Sequence, residues 1–145
     1  MKRKYWTQPC FFYVLRINGT TKFGITKNWE NRMKQYKRDY RYARMGFNCT
    51  VHYREVYPEY WQAEFVETML RRRLKPWVEF GHEYISSDVP TQNVINFYLE
   101  IKSFLIDYNS FEHVKTYYKI GSLRMKLYKL YYIELTERLE KIPVI

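Results

Sequence analysis

"FFYVLRINGTTKFGIT", residues Phe11–Thr26, decides the fold. Phe11–Ile17 and Thr21–Thr26 are aromatic and β-branched runs. Asn18-Gly19 between them is the dipeptide that a two-residue hairpin turn favours, because both central positions need positive φ. The stretch predicts an antiparallel hairpin. Its second strand is odd for one built only to pack, since it carries Lys22 and Gly24 where apolar, β-branched residues would serve better. A glycine inside a strand marks a bulge, or lets a backbone, a side chain or a phosphate come close.

The elements that follow surround this hairpin. Asn28 can cap a helix with Glu30 in its first turn, running to about Arg38. "RDYRYARMGFN" is an irregular basic segment, and Thr50–Tyr57 alternates as a third strand. Pro58 opens a helix through about Leu74, and "VEFGHEYIS" reads as a loop with a short extended piece. From Pro90 to about Tyr108, the residues Val94, Phe97, Tyr98, Ile101, Phe104 and Leu105 fall on one helical stripe, with Ile95, Leu99 and Ile106 on a second face. A polar break at Gly121 precedes a last helix, about Leu123–Lys141. The expected fold is an α/β sandwich: a small, mainly antiparallel three-stranded sheet flanked by helices, with two extra C-terminal helices. Residues 1–88 would form the functional core. Residues 89–145 would be a helical extension that packs on the core or forms a subunit interface, which leaves a homodimer through these helices open.

Composition narrows the function. The 145 residues suit one domain with a modest core, and Lys plus Arg outnumber Asp plus Glu by 25 to 15. That excess points to a polyanion. It is concentrated: residues 1–88 hold 17 basic and 9 acidic side chains, residues 89–145 hold 8 and 6. No apolar run has the length of a membrane span, and the opening "MKRKYWTQPC" has no apolar stretch after its basic residues, so neither a membrane protein nor a secretion leader is expected. Cys10 and Cys49 make no disulfide framework, which suits a reducing cytoplasm. Richness in Lys, Tyr, Phe, Ile and Asn hints at an AT-rich genome such as a phage or another virus, and then at the host cytoplasm.

The order hairpin, helix, strand, helix carries Tyr13 in the first strand, Lys22 and Gly24 in the second, Arg32 in the helix, and an acidic helix later. This resembles the GIY-YIG nuclease superfamily, in particular the phage-rich branch whose second motif begins with Lys. Phe11-Phe12-Tyr13 stands where GIY would be, and Lys22-Phe23-Gly24 where YIG would be. Thr26 and Asn28 follow as in the family's continuation, and Arg32 lies eight residues after Gly24. Glu67 with Leu70 and Leu74, then Gly81-His82-Glu83-Tyr84, resemble the acidic helix and the segment after it. The likeness covers roughly residues 10–86. Two of the six motif letters, Tyr13 and Gly24, are kept, so its weight comes from spacing across four elements.

The resemblance implies a metal-dependent endonuclease that hydrolyses phosphodiester bonds in DNA, and each position has a chemical reason. One divalent ion per active site, Mg²⁺ or Mn²⁺, held by a single carboxylate would stabilise phosphorane charge and the leaving oxygen. Glu67 is the expected ligand. With Trp61 at 0° and 100° per residue, the apolar arc sweeps to about 220°, and Glu67 falls at its edge near 240°. Glu64, near 300°, faces water. The plainer role for Glu67 is an ion pair with Arg71 four residues on. Arg32 would clamp the scissile phosphate with its planar fork, its plainer role being a surface pair with Glu30. Tyr13 would activate water or donate to phosphate. A phenol with pKa near ~10 needs help for this, and Lys22 on the paired strand could supply a cation. In so tyrosine-rich a chain, simple packing of Tyr13 is the alternative, and Lys22 could merely guard a strand edge.

Arg32–Arg44 holds six basic residues and one acidic one, interleaved with tyrosines. Lys34, Lys37, Arg38, Arg41 and Arg44 would neutralise phosphates, while Tyr36 and Tyr40 would stack on bases. Arg71-Arg72-Arg73 extends this patch or decorates a helix C-terminus. Cys49 and His52 lack a second pair for zinc. His82, Glu83 and Tyr84 would close the edge of the cleft. The rival reading is a catalytically weak or inactive nucleic-acid-binding regulator, or an anti-defence protein, on the same fold. A protein–protein adaptor acting through the aromatic C-terminal helices is a third reading, and a membrane-surface role fits worst, since the basic residues do not follow one amphipathic helix.

Overall fold

The computed structural model describes residues 8–80 and 84–109, without the side chains of residues 79, 80 and 106–109. The expected last helix lies outside these residues, as do Gly81, His82 and Glu83. The hairpin forms as the sequence predicts. Strand β1 (Cys10–Ile17) and strand β2 (Thr20–Thr26) run antiparallel across a two-residue turn, with Asn18 at φ 49° and Gly19 at φ 83°. Both central residues take the left-handed conformation that matches strand twist. The register sets Tyr13 opposite Gly24 and Leu15 opposite Lys22.

Strand β3 (Cys49–Tyr57) pairs with the other side of β1, also antiparallel, and shifts register between Val14 and Leu15. The expectation of three strands is too low. The segment "VEFGHEYIS" supplies two short strands, β4 (Val78–Phe80) and β5 (Tyr84–Ile85), and the sheet order is β3-β1-β2-β5-β4. Strands of three and two residues show no period of two, which is why the sequence reads as a loop. All the pairings are antiparallel.

Because β1 is central, it is buried on both faces, and its alternate residues feed two cores. Phe12 and Val14, with Phe23 of β2, meet the apolar sides of helix α2 (Tyr60–Arg73) and helix α3 (Thr91–Asn109). Tyr13, Leu15 and Ile17 meet helix α1 (Trp29–Asp39) on the opposite face, where Tyr36 joins them and Trp29 and Met33 pack alongside. The molecule is thus an α+β sandwich: an antiparallel sheet with α1 on one face and α2 and α3 on the other.

Local chemistry fixes each helix. Asn28 Oδ1 accepts from the Asn31 amide at 3.0 Å, the expected cap of α1. Gln62 accepts from the Glu59 amide at 3.2 Å at the start of α2. Helix α3 is anchored by Thr91, whose hydroxyl lies 2.7 Å from that of Thr21. Val94, Tyr98, Ile101, Phe104 and Leu105 then join the same cluster as Phe12 and Phe65. The chain's core therefore continues past residue 88. Among the described residues no helix is long and apolar enough to cross a membrane.

Candidate active site

Gly24 and Tyr13 explain each other. A Cβ added at Gly24 would lie 2.6 Å from Tyr13 Oη and 2.9 Å from its Cζ. The absent side chain is the space in which the phenol lies, so the close approach expected at Gly24 is made by the ring across the hairpin. Tyr13 is wholly buried there. Its hydroxyl is 2.6 Å from that of Tyr36, and its ring meets Trp29 edge-on at 5.6 Å between centroids.

Lys22 projects from the same face of the hairpin, as its pairing with Leu15 requires. It is only 5% exposed. Its Nζ lies 4.3 Å from the centre of the Tyr84 ring and 5.5 Å from that of Tyr36. The ammonium is stabilised by two π faces, which explains how a lysine is tolerated at a buried strand position. The cation thus reaches the Tyr13 hydroxyl by way of the Tyr36 phenol. Tyr84 pairs with Lys22 across β5 and β2, and its hydroxyl accepts from Tyr40 at 3.3 Å.

Two placements differ from the sequence reading. Tyr36, expected to stack on bases, is 5% exposed and engaged with Tyr13 and Lys22. Tyr40 is half-buried and packs on Phe47 at 6.1 Å. Both tyrosines sit on the inward side of α1 and its end, four residues apart, and a basic flank in sequence does not reveal that inward turn. Lys34, Lys37, Arg38, Arg41 and Arg44 are all exposed, and Arg32 is half-buried.

Glu67 stands on α2, beyond the opposite face of the sheet. It is 8% exposed, while Glu64 is half-buried, so the helix geometry orders the two correctly. Arg71 Nη2 donates to Glu67 Oε1 at 2.8 Å. The pair foreseen as the plainer role does form, with the carboxylate mostly buried and the Arg71 side chain partly exposed. The carboxylate also acts toward β1. Burial pushes the Cys10 thiol up to about 12, and the Glu67 charge adds to that rise, while Lys27 and Arg32 oppose it. One thiol at the start of β1 thus feels a carboxylate from α2 and two cations from α1 and the residues just before it.

Sequence reasoning missed Cys10, Lys27 and Arg54. Alternation along β1 could have put Cys10 on the α2 side with Phe12, but nothing marks Lys27. Arg54 is opposite Tyr13 on β3, and its guanidinium lies 4.8 Å from the Trp29 ring and 5.7 Å from the Phe11 ring. Its detection needs the β1–β3 register, which the shift at Leu15 hides.

No protein-family model, curated protein or solved structure matches the chain. Among the described residues no group of three or more His, Cys, Asp and Glu could hold a metal ion. A single carboxylate is nevertheless a donor set suited to Mg²⁺, which keeps several waters and takes its remaining oxygens from substrate phosphate. Glu67 fits that requirement.

Proposed function

We propose that this chain is a GIY-YIG-type, metal-dependent endonuclease that hydrolyses phosphodiester bonds in DNA. The observation that supports this most is the hairpin arrangement, in which the Tyr13 phenol fills the space left by Gly24 and Lys22 stands on the same face over the Tyr36 ring. Cleaving a phosphodiester needs an anionic metal ligand, and cations for the phosphate oxygens. Arg32 takes the scissile phosphate by its fork, and Lys27 adds charge beside it. Glu67 would hold one Mg²⁺ or Mn²⁺ ion, with Arg71 fixing Oε1 and so orienting the carboxylate. The ion would supply charge stabilisation for the phosphorane and the leaving oxygen. Cys10, kept protonated by burial, is no nucleophile here.

Tyr13 and Lys22 form the far wall. The Tyr13 and Tyr36 hydroxyls lie 2.6 Å apart, so one donates to the other, and Lys22 sets its charge over the Tyr36 ring. The same burial supports the second reading, a catalytically weak or inactive DNA-binding regulator. At 0% exposure, Tyr13 meets a substrate only if its ring moves.

The test is nicking of supercoiled plasmid by the wild type, Glu67→Ala and Arg32→Ala, with and without Mg²⁺ or Mn²⁺, after melting curves show that the variants fold. The expected outcome is metal-dependent nicking that falls at least about 100-fold in each variant, the scale of losing one charge-stabilising group. Salt-sensitive plasmid binding without nicking would select the regulator.

A further inference from the structure

Two of the most exposed large apolar side chains among the described residues lie three positions apart. Tyr42 is 85% exposed and Met45 76%. Singly exposed apolar residues are ordinary, but a tyrosine and a methionine both exposed within one turn offer a contact surface. This one is embedded in cations: Arg41 and Arg44 within the turn, and Lys37 and Arg38 at the end of α1, all exposed.

The turn is also held in shape. The Ala43 amide donates to the Tyr40 carbonyl, and the Gly46 amide to the Ala43 carbonyl, both at 2.9 Å. Asn18, in the hairpin turn, donates from Nδ2 to the Gly46 carbonyl at 2.9 Å and accepts from the Asn48 amide at 2.9 Å. Gly46 takes φ +69°, which lets the chain double back there. A left-handed glycine and two side-chain hydrogen bonds thus hold a turn whose Tyr42 side chain buries almost nothing. The Arg41 guanidinium lies 4.6 Å from the Tyr42 ring centre and covers one face, leaving the other to solvent.

We propose that the Arg41–Met45 turn is a stacking platform for unpaired DNA. An aromatic ring with one face backed by a cation stacks on any exposed base, and the surrounding basic residues hold the backbone. Tyr42 takes a base on its open face, Met45 packs against the neighbouring base, and Arg44, Lys37 and Arg38 take the phosphates. A continuous duplex offers no free base face without unstacking, so the platform favours single-stranded or interrupted DNA. This inference rests on the DNA reading above and adds the form of DNA preferred.

The test uses the full chain without divalent metal, so that binding is read apart from cleavage. Anisotropy of a fluorescein-labelled 20-nucleotide strand is compared with that of its duplex, for the wild type, Tyr42→Ala and Tyr42→Phe. The wild type is expected to bind the single strand more tightly. Tyr42→Ala should weaken single-strand binding about 10-fold and duplex binding hardly at all, with Tyr42→Phe close to the wild type. DNA binding that Tyr42→Ala leaves unchanged, or weakens equally for both forms, overturns the platform and leaves the DNA reading standing. Binding to neither form overturns both.

Discussion

At the scale of single residues, Gly24 carries the sharpest prediction. Intrinsic strand preference favours Gly24→Ala by roughly 0.5–1 kcal/mol, since glycine loses more backbone freedom on folding. The added methyl would lie 2.6 Å from Tyr13 Oη and 2.9 Å from Cζ, however, and the ring is packed between Trp29 and Tyr36. Overpacking of that kind costs about 1–3 kcal/mol, so the clash wins. Urea unfolding should show Gly24→Ala less stable than the wild type, and much less harmful in a Tyr13→Ala background, where the ring is gone. An alanine variant as stable as the wild type would mean that the ring is free to move, which would remove the main objection to Tyr13 as a catalytic group. The sequence marks Gly24 as a point of close approach but does not say what approaches. The choice of the Tyr13 ring depends on the register and on the rotamer, neither of which a single strand displays. Glu67 was legible for the opposite reason: its angle on the helix follows from a fixed 100° step.

At the scale of elements, one carboxylate ties α3 to β3 beside the apolar packing. Glu55 accepts from the hydroxyls of Tyr53, at 2.9 Å, and Tyr98, and from the Lys102 ammonium; Tyr98 and Tyr57 share a further bond of 2.7 Å. Burial alone would raise the Glu55 carboxyl, but the bonds from Lys102, Tyr98 and Tyr53, with the Lys102 charge, outweigh it and hold the group below its ordinary value. A carboxyl lowered on folding contributes stability that is complete above its unfolded pKa and is lost as pH falls through the folded value. Thermal unfolding followed from pH 7 to pH 3 should therefore show a decline below about pH 4.3, and this component should be absent in Glu55→Gln. At pH 7 that variant should be less stable by about 1–3 kcal/mol, the scale of a bond to a charged group. An identical acid limb in both proteins would show that the cluster does not hold α3. The stripe of α3 was readable in the sequence because nineteen residues display a helical period. The cluster was not, since Glu55 and Lys102 are joined only by the tertiary fold.

At the scale of the molecule, the formal charge of +10 raises the question whether polyanion binding depends on total charge or on where it lies. Counterion release is local: the slope of log K against log salt is about −0.7 for each phosphate neutralised on a single strand. The five exposed cations Lys34, Lys37, Arg38, Arg41 and Arg44 cluster on α1 and the turn after it, which gives a slope of about −3.5 if all five are used. Arg16 and Lys75 are equally exposed but lie at the end of β1 and just after α2. Two double variants remove the same charge from the two places. Lys34→Ala with Lys37→Ala should make the slope shallower by about 1.4, whereas Arg16→Ala with Lys75→Ala should leave it nearly unchanged. A titration from 50 to 300 mM KCl, read by anisotropy on the labelled strand, separates them. Equal flattening by both pairs would mean that the whole basic surface attracts DNA without a defined track. A change confined to the α1 pair would place the DNA along the helix that carries Arg32 and leads into the Tyr42 turn.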